Sequence, residues 1–580
     1  MSAFTRAIDK TMSRSVGQNG HAQEEWKVGD FQDSIVQLYF QIVRCTGNSS
    51  NGHQISKIKE EYKRLIHLAT QDQLSRKPLN ICMSLMFQTR DLQGGKGEYH
   101  IFYHLLTCWE SYWDIVSEQL NCALTLLFDT EYASQKYDVT FSHPYGSWKD
   151  AKNILNVYRE VFNWGGDGTR WTQHHATRHI VAMASDALSR DVALVSKGAK
   201  PKTLVAKWLP REKSSLYGWQ AKIFAESWAR KPGKNLQASL STYRRKCSQV
   251  NKALGTTQIK QCANEWANID FDKEVTSITM QKQKSAFLAV GKNTQASELE
   301  DRRACANNFR QYLSDVASGK KQIKAARVVG EQLVKQLWNN TISEEEKTYA
   351  NAVWEEVVKD SSDALANALV MLDLSASMTW DNCPFYAAIY LALKIACSKG
   401  GTKRIMTFSS EPSWINLEGC DTFVDMIDVL KQNAHSTGMS TNIYKAFQLV
   451  GNACLERNMT PDEVGSQMVV ILSDMQIDKA DTTHVHNATL EENIKLDFQK
   501  FGLMSSHKQP YPRPTLVFWN MKSTHGFPSS VVMENTILMS GYNSDVLESV
   551  SAGGMQKLTD LTPWDHISNI LDKPRYNWFW

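Results

Sequence analysis

The 580-residue chain has no uninterrupted run of 18 or more uncharged apolar residues, so no transmembrane helix is expected. Its first twenty residues lack the apolar centre of a secretory signal, and an exported protein is not expected. Paired cysteines are lacking as well. The eleven Cys stand singly at 45, 82, 108, 122, 247, 262, 305, 383, 397, 420 and 454, with no C-x-x-C and no zinc-finger spacing to histidine. An odd, irregular set of this kind fits free thiols in a reducing, cytoplasmic setting. Nor is there an extreme of composition: 42% hydrophobic and 22% charged residues exclude a disordered chain, a collagen and a long coiled coil. The length is too great for one core and predicts two to four domains.

Several catalytic signatures are missing. The Gly94–Gly97 turn carries Lys96 but is followed by Gly97 and Glu98 rather than Ser or Thr, so it is not a P-loop. There is no G-x-S-x-G elbow. His175 and His179 have zinc-capable i, i+4 spacing without the order H-E-x-x-H, and read as ordinary helix histidines.

What is present divides the chain in two. Residues 1–360 hold 49 basic and 38 acidic residues; residues 361–580 hold 16 and 23, so the halves carry +11 and −7. Residues 1–30 are polar and read as a flexible arm. From 31 to 360 apolar residues recur at helical spacing, as in Phe31–Cys45, Lys149–Phe162 and His174–Ser196, with short Gly/Pro breaks between. This predicts an all-α bundle or a degenerate HEAT-like solenoid. From 361 buried-strand patterns alternate with helices, which predicts a doubly wound α/β sheet with its ligand site at the carboxyl ends of the strands.

Asp373-Leu374-Ser375-Ala376-Ser377 falls where the first such strand ends. Thr441 follows in Gly438-Met439-Ser440-Thr441-Asn442, and Asp474 closes the apolar run Val469–Ser473. Carboxylates and hydroxyls of this kind suit a hard divalent cation, Mg²⁺ first, with Mn²⁺ or Ca²⁺ as alternatives. The three elements, in this order, resemble the metal-ion-dependent adhesion site (MIDAS) of a von Willebrand factor A (vWA) domain. The resemblance implies direct metal contacts for Asp373, Ser375 and Ser377, and direct or water-mediated ones for Thr441 and Asp474. It also implies one open metal position for a partner's acidic group. Asn442 stands where many members carry Asp.

Residues 195–260 hold 15 Lys/Arg against Glu212 and Glu226, with Trp208, Tyr217, Trp219, Trp228 and Tyr243 interleaved. Cations neutralise phosphates and exposed rings stack unpaired bases, so this stretch predicts a polyanion partner. At least half of the rings are expected to be core. Two shorter motifs precede it. Arg90–Glu98 reads as a tight turn with Arg90 and Lys96 at its rim, and His143–Asp150 as a helix connector with Ser147 as N-cap.

The series R-D-x-x-G-G-K-G-E, P-Y-G-S-W-K-D, Lys207–Ser214 and Tyr243–Lys246, followed by the vWA-like part, resembles a family of plants, protists and large DNA viruses. That family is similar in architecture to the Ro autoantigen, a TROVE (HEAT-like) helical ring closed by a vWA domain. The domains then read as a flexible arm 1–30, a TROVE-like helical domain 31–360 and a vWA-like domain 361–580 with its MIDAS and a C-terminal extension. The resemblance implies a ribonucleoprotein component without catalytic residues. Single-stranded or small structured RNA would be bound by Lys207, Arg211, Lys213, Arg244, Arg245 and Lys246, with Arg90 and Lys96, and an acidic protein partner would meet the vWA metal. The location expected is cytoplasmic, or the virion for a viral protein. The competing expectation is a structural or adhesion scaffold, within a viral particle or another large assembly, that uses the metal site alone.

Overall fold

The structure is a computed structural model and describes residues 14–16, 22–24, 30–45, 52–71, 77–165, 169–229, 235–290, 299–325, 328–339, 342–359, 361, 368–379, 384–407, 412–434, 442–476, 489–523, 526–528, 533–543 and 561–577. A helical part is followed by an α/β part, as the patterning predicts. The compact units, however, do not divide the chain at 360. One unit comprises residues 1–71 with 316–573; the other comprises 72–315 with 574–580.

The first unit is built on a six-stranded sheet. Its strands are β3 (Ala368–Leu372), β4 (Arg404–Thr407), β5 (Ser413–Asn416), β6 (Met468–Ser473), β7 (Thr515–Asn520) and β8 (Thr536–Ser540), in the order β5-β4-β3-β6-β7-β8. All neighbours are parallel except the hairpin pair β4 and β5. The order reverses between β3 and β6, where register pairs Leu372 with Leu472. A reversal of this kind opens a crevice at the carboxyl ends of the two strands. β6, β7 and β8 are buried along their whole length, which is why they read as apolar runs rather than alternations. The helix Pro384–Ala396 is buried on nearly all sides between β3 and the helix Gly330–Asn339. A Cβ on Gly330 would stand 2.3 Å from the Tyr390 ring, so the absence of a side chain there sets the approach.

The helix Phe31–Gln41 also belongs to this unit. Every residue from Ser34 to Gln41 is buried. Its last carbonyls, which no helical amide reaches, accept from strand ends: Asn520 Nδ2 donates to Phe40 O at 3.0 Å, and Ser540 Oγ to Tyr39 O at 2.7 Å. The predicted flexible arm contains a short antiparallel pair, β1 (Arg14–Val16) with β2 (Ala22–Glu24). Gln23 is buried, and a Cβ on Gly526 would meet its amide.

The second unit is helical, from Lys77–Arg90 to Glu300–Ala317. The long apolar pattern Glu98–Leu120 is not one helix. It breaks into Tyr99–Thr107 and Trp113–Leu126 around the 3-10 turn Glu110–Tyr112. Glu110 stands at the break, where its carboxylate accepts from the amides of His175 at 2.8 Å and Ala176 at 3.0 Å, capping the helix His175–Ser196. His179 is a satisfied helix histidine beside Thr125 Oγ1 (3.2 Å), and His175 stacks on Trp113. No described helix is long and apolar enough to cross a membrane.

Candidate cation site and basic surface

At the crevice between β3 and β6, two carboxylates leave adjacent strand ends. Asp373 and Asp474 are both wholly buried. Asp373 Oδ1 accepts from the Ser375 amide at 2.9 Å, and Oδ2 from the Ser473 hydroxyl at 2.6 Å. The Ser375 and Ser377 hydroxyls lie 3.0 Å apart. Asp474 Oδ1 accepts from the Gln476 amide at 3.2 Å, while its buried Oδ2 accepts no hydrogen bond among the described residues. Burial, and then Asp474, push the Asp373 carboxyl well above the usual carboxylate range. Burial also raises Asp474, against Ser377, the Gln476 amide and Lys522. Two buried carboxylates side by side call for a shared proton or a counter-charge.

The donors gathered here are oxygens only: two carboxylates and the hydroxyls of Ser375, Ser377 and Ser473. That is the chemistry of a hard cation rather than of zinc. Among the described residues no three His, Cys, Asp or Glu side chains gather into a metal-holding group. Thr441 lies outside the described residues. Asn442 is the N-cap of the helix Ile443–Glu456, its side chain accepting from the Lys445 amide at 3.1 Å. Sequence reading did not single out Ser473, although it stands beside Asp474 in the same motif.

In the helical unit the four sequence motifs prove to be neighbours. Arg90 forks onto Asp150, with Nη2 to Oδ2 at 2.7 Å and Nε to Oδ1 at 3.1 Å. The Tyr103 hydroxyl donates to the same carboxylate. The Ser147 amide donates to Asp150 Oδ2 at 2.7 Å. Ser147 is therefore not the N-cap expected of it: Trp148 holds that position, without a side-chain bond, and Asp150 reaches back instead. Lys149, the first residue of that helix, and Lys152 approach the Trp208 ring of the third motif at 6.0 and 5.2 Å. That motif meets the fourth where the Tyr243 hydroxyl donates to Pro210 O at 3.0 Å and Arg244 stands 3.6 Å from Glu212.

The placement of Arg90 and Lys96 corrects the sequence reading. Neither is at the rim of a turn. Arg90 is held inside by Asp150, and Lys96 is fully buried with its pKa pushed well down by desolvation, against the pull of Glu98. The Gly94–Gly97 loop folds back on the preceding helix, where a Cβ on Gly95 would collide with Gln88 O at 2.2 Å. Buried cations of this kind do not meet a polyanion at the surface.

The basic stretch is otherwise outward. Lys197, Lys200, Lys202, Arg211, Lys213, Lys222, Arg244, Arg245 and Lys252 are exposed, and Lys207, Lys246 and Lys260 are half-buried. Acids pair with Lys202 (Glu131), Lys260 (Glu274) and, loosely, Arg244. Arg230, Lys231 and Lys234 lie outside the described residues. Of the five interleaved rings only Tyr243 is buried; Trp208, Tyr217, Trp219 and Trp228 remain half-exposed, so fewer are core than expected.

The chain thus joins a helical unit with an exposed basic segment to a mostly parallel α/β unit with a buried acidic crevice. A family model described as a domain of unknown function (DUF2828) matches residues 173–364, and a second domain of unknown function (DUF7788) matches residues 367–560. The chain is also similar to a protein of Acanthamoeba polyphaga mimivirus described as uncharacterized: 23% identical over 510 residues, 85% of this chain and 79% of the viral one.

Proposed function

We propose that this is a Ro-like RNA-binding protein, with no catalytic residue of its own. Its helical unit takes single-stranded or small structured RNA on the cations between 195 and 260. Its α/β unit, read as a vWA domain, holds a divalent cation for contact with an acidic partner. The observation that carries the RNA reading is the outward set of nine described basic side chains, with few acids near them. Phosphates exchange for released counterions on such a surface, so binding weakens with salt. The cation would sit with Asp373, Asp474, Ser375 and Ser377, the group that leaves a buried carboxylate oxygen without a donor.

Filter binding of the full chain to a single-stranded RNA across a salt series tests this reading. Each phosphate contact contributes a slope of about −0.7 in log K against log salt. Charge reversal at Arg244, Arg245 and Lys246 should flatten the slope and weaken binding. An affinity indifferent to both rejects the RNA reading.

The buried acidic crevice supports a second reading, a docking scaffold that uses the cation alone. In that case Asp373→Ala abolishes a protein contact and leaves RNA binding as it was.

A further inference from the structure

The helix Lys149–Val161 begins with two lysines, Lys149 and Lys152, where the helix dipole favours negative charge. Their ammonium groups converge with that of Lys207 on a small set of rings. Lys149 stands 5.9 Å from the Tyr99 ring and 6.0 Å from Trp208; Lys152 stands 5.2 Å from Trp208 and 4.8 Å from Tyr217; Lys207 stands 5.7 Å from Trp208. Tyr217 is fixed in turn by its hydroxyl, which donates to Asn153 Oδ1 at 2.7 Å. The rings stay within reach of solvent, Tyr99 being 47% exposed and Trp208 and Tyr217 half-exposed.

Little acid balances this charge among the described residues, Asp150 acting on Lys149 alone. Among the described residues none forms an ion pair with Lys149, Lys152 or Lys207, and the adjacent Asp150 is already forked by Arg90. Burial, then Lys282, lower the Lys149 pKa against the pull of Asp150; burial, then Lys149, lower that of Lys152; burial lowers that of Lys207. Desolvation acts on all three, while repulsion from Lys149 acts on Lys152 and the wrong end of a helix dipole on both. Contacts between cations and ring faces ease the desolvation but leave the repulsion unanswered. An anion seated beside these ammoniums offsets the costs by direct charge pairing.

We infer that Lys149, Lys152 and Lys207, with Trp208 and Tyr217, form a subsite for a nucleoside phosphate, the ammoniums holding the phosphate and the rings a base. This deepens the RNA reading above and rests on it for the source of the ligand, since a stretch of single-stranded RNA and a free nucleotide share this chemistry. Two of its cations lie outside the 195–260 segment, so they can be tested apart from it.

The test is acetylation of lysines in the full chain, followed by mass spectrometry, with oligouridylate, with uridine monophosphate and with neither. It is paired with RNA affinities for Lys149→Gln/Lys152→Gln, Trp208→Leu and Arg244→Glu/Arg245→Glu. The expected result is protection of Lys149, Lys152 and Lys207 by oligouridylate, and an affinity reduced about tenfold or more by the double lysine substitution. The lysine variant carries the result even where Trp208→Leu does not fold. RNA binding that is lost in the Arg244/Arg245 variant, kept in the lysine variant and unprotective of the three lysines overturns the subsite and leaves the RNA reading intact. Protection by the mononucleotide without RNA binding keeps the subsite and removes the RNA reading. Binding of neither overturns both.

Discussion

Arg575 forks onto Asp91 from a point 484 residues further along the chain: Nη2 donates to Oδ1 at 2.8 Å and Nε to Oδ2. Asp91 is wholly buried and also accepts from the Tyr576 hydroxyl at 2.7 Å and the Gln93 amide at 3.0 Å. Arg575 covers the Tyr145 ring at 4.8 Å as well. The last described residues are thus part of the helical unit's core, docked on the Arg90–Glu98 turn. Arg575→Ala leaves a buried carboxylate short of its counter-charge. Because Arg575 is partly exposed, the expected loss is roughly 2–3 kcal/mol, read by urea denaturation of the helical unit.

Gly146 is where two motifs press together. A Cβ there would lie 2.6 Å from Asp150 Oδ2, 2.7 Å from Leu127 Cδ1 and 3.1 Å from Arg90 Nη2. Gly146→Ala is expected to destabilise by about 1–3 kcal/mol, the range of overpacked sites, and to lower the thermal midpoint. A neutral result would mean that the Arg90–Asp150 fork shifts freely.

For the acidic crevice, the expectation is a thermal midpoint that rises with Mg²⁺ or Mn²⁺, by the equivalent of about 2.7 kcal/mol at a hundredfold excess over Kd. Asp474→Asn should cancel that response. It should also stabilise the metal-free protein near neutral pH, because one of two competing carboxylates is gone. Scanning calorimetry with and without a chelator checks both halves.

His179 and His566 predict an acid limb. Burial, assisted by Lys136 for the first and Lys573 for the second, holds each imidazole down to about 4 against the ordinary 6.5. The folded chain keeps these rings neutral while the unfolded chain protonates them first. The stability they confer is whole above about pH 6.5 and is lost as pH falls from there through about 4. At about 1.4 kcal/mol per unit, each histidine accounts for about 3 kcal/mol over that window. Replacing either with Gln should flatten the fall in urea midpoint between pH 6.5 and 4 for its own unit.

Much of this was readable in the sequence where local pattern and burial agree. The runs around Val370, Val470 and Val517 announce strands covered on both faces, and the helices Lys149–Val161 and His175–Ser196 follow their apolar spacing closely. β5 was missed because Ser413–Asn416 is a four-residue edge strand with only Ile415 turned inward. The acidic crevice was legible because its residues sit next to strands in sequence. Arg90 and Lys96 were misplaced because nothing local in a Gly-rich turn says that Asp150 lies across from it. The lysine cluster on Trp208 was legible only in part, since it joins motifs about sixty residues apart.

The helix Phe31–Gln41 has its carbonyl partners at Asn520 and Ser540, and Asp91 has its cation at Arg575. Neither unit can therefore finish closing until its distant partner is present, Asn520 and Ser540 for the first and Arg575 for the second. Until then the early segments keep uncovered the faces that the folded chain buries. Contacts of such long sequence separation fold slowly and leave sticky intermediates. A chain halted before Asn520 would leave both units incomplete, and one halted between Lys573 and Arg575 would leave only the second so.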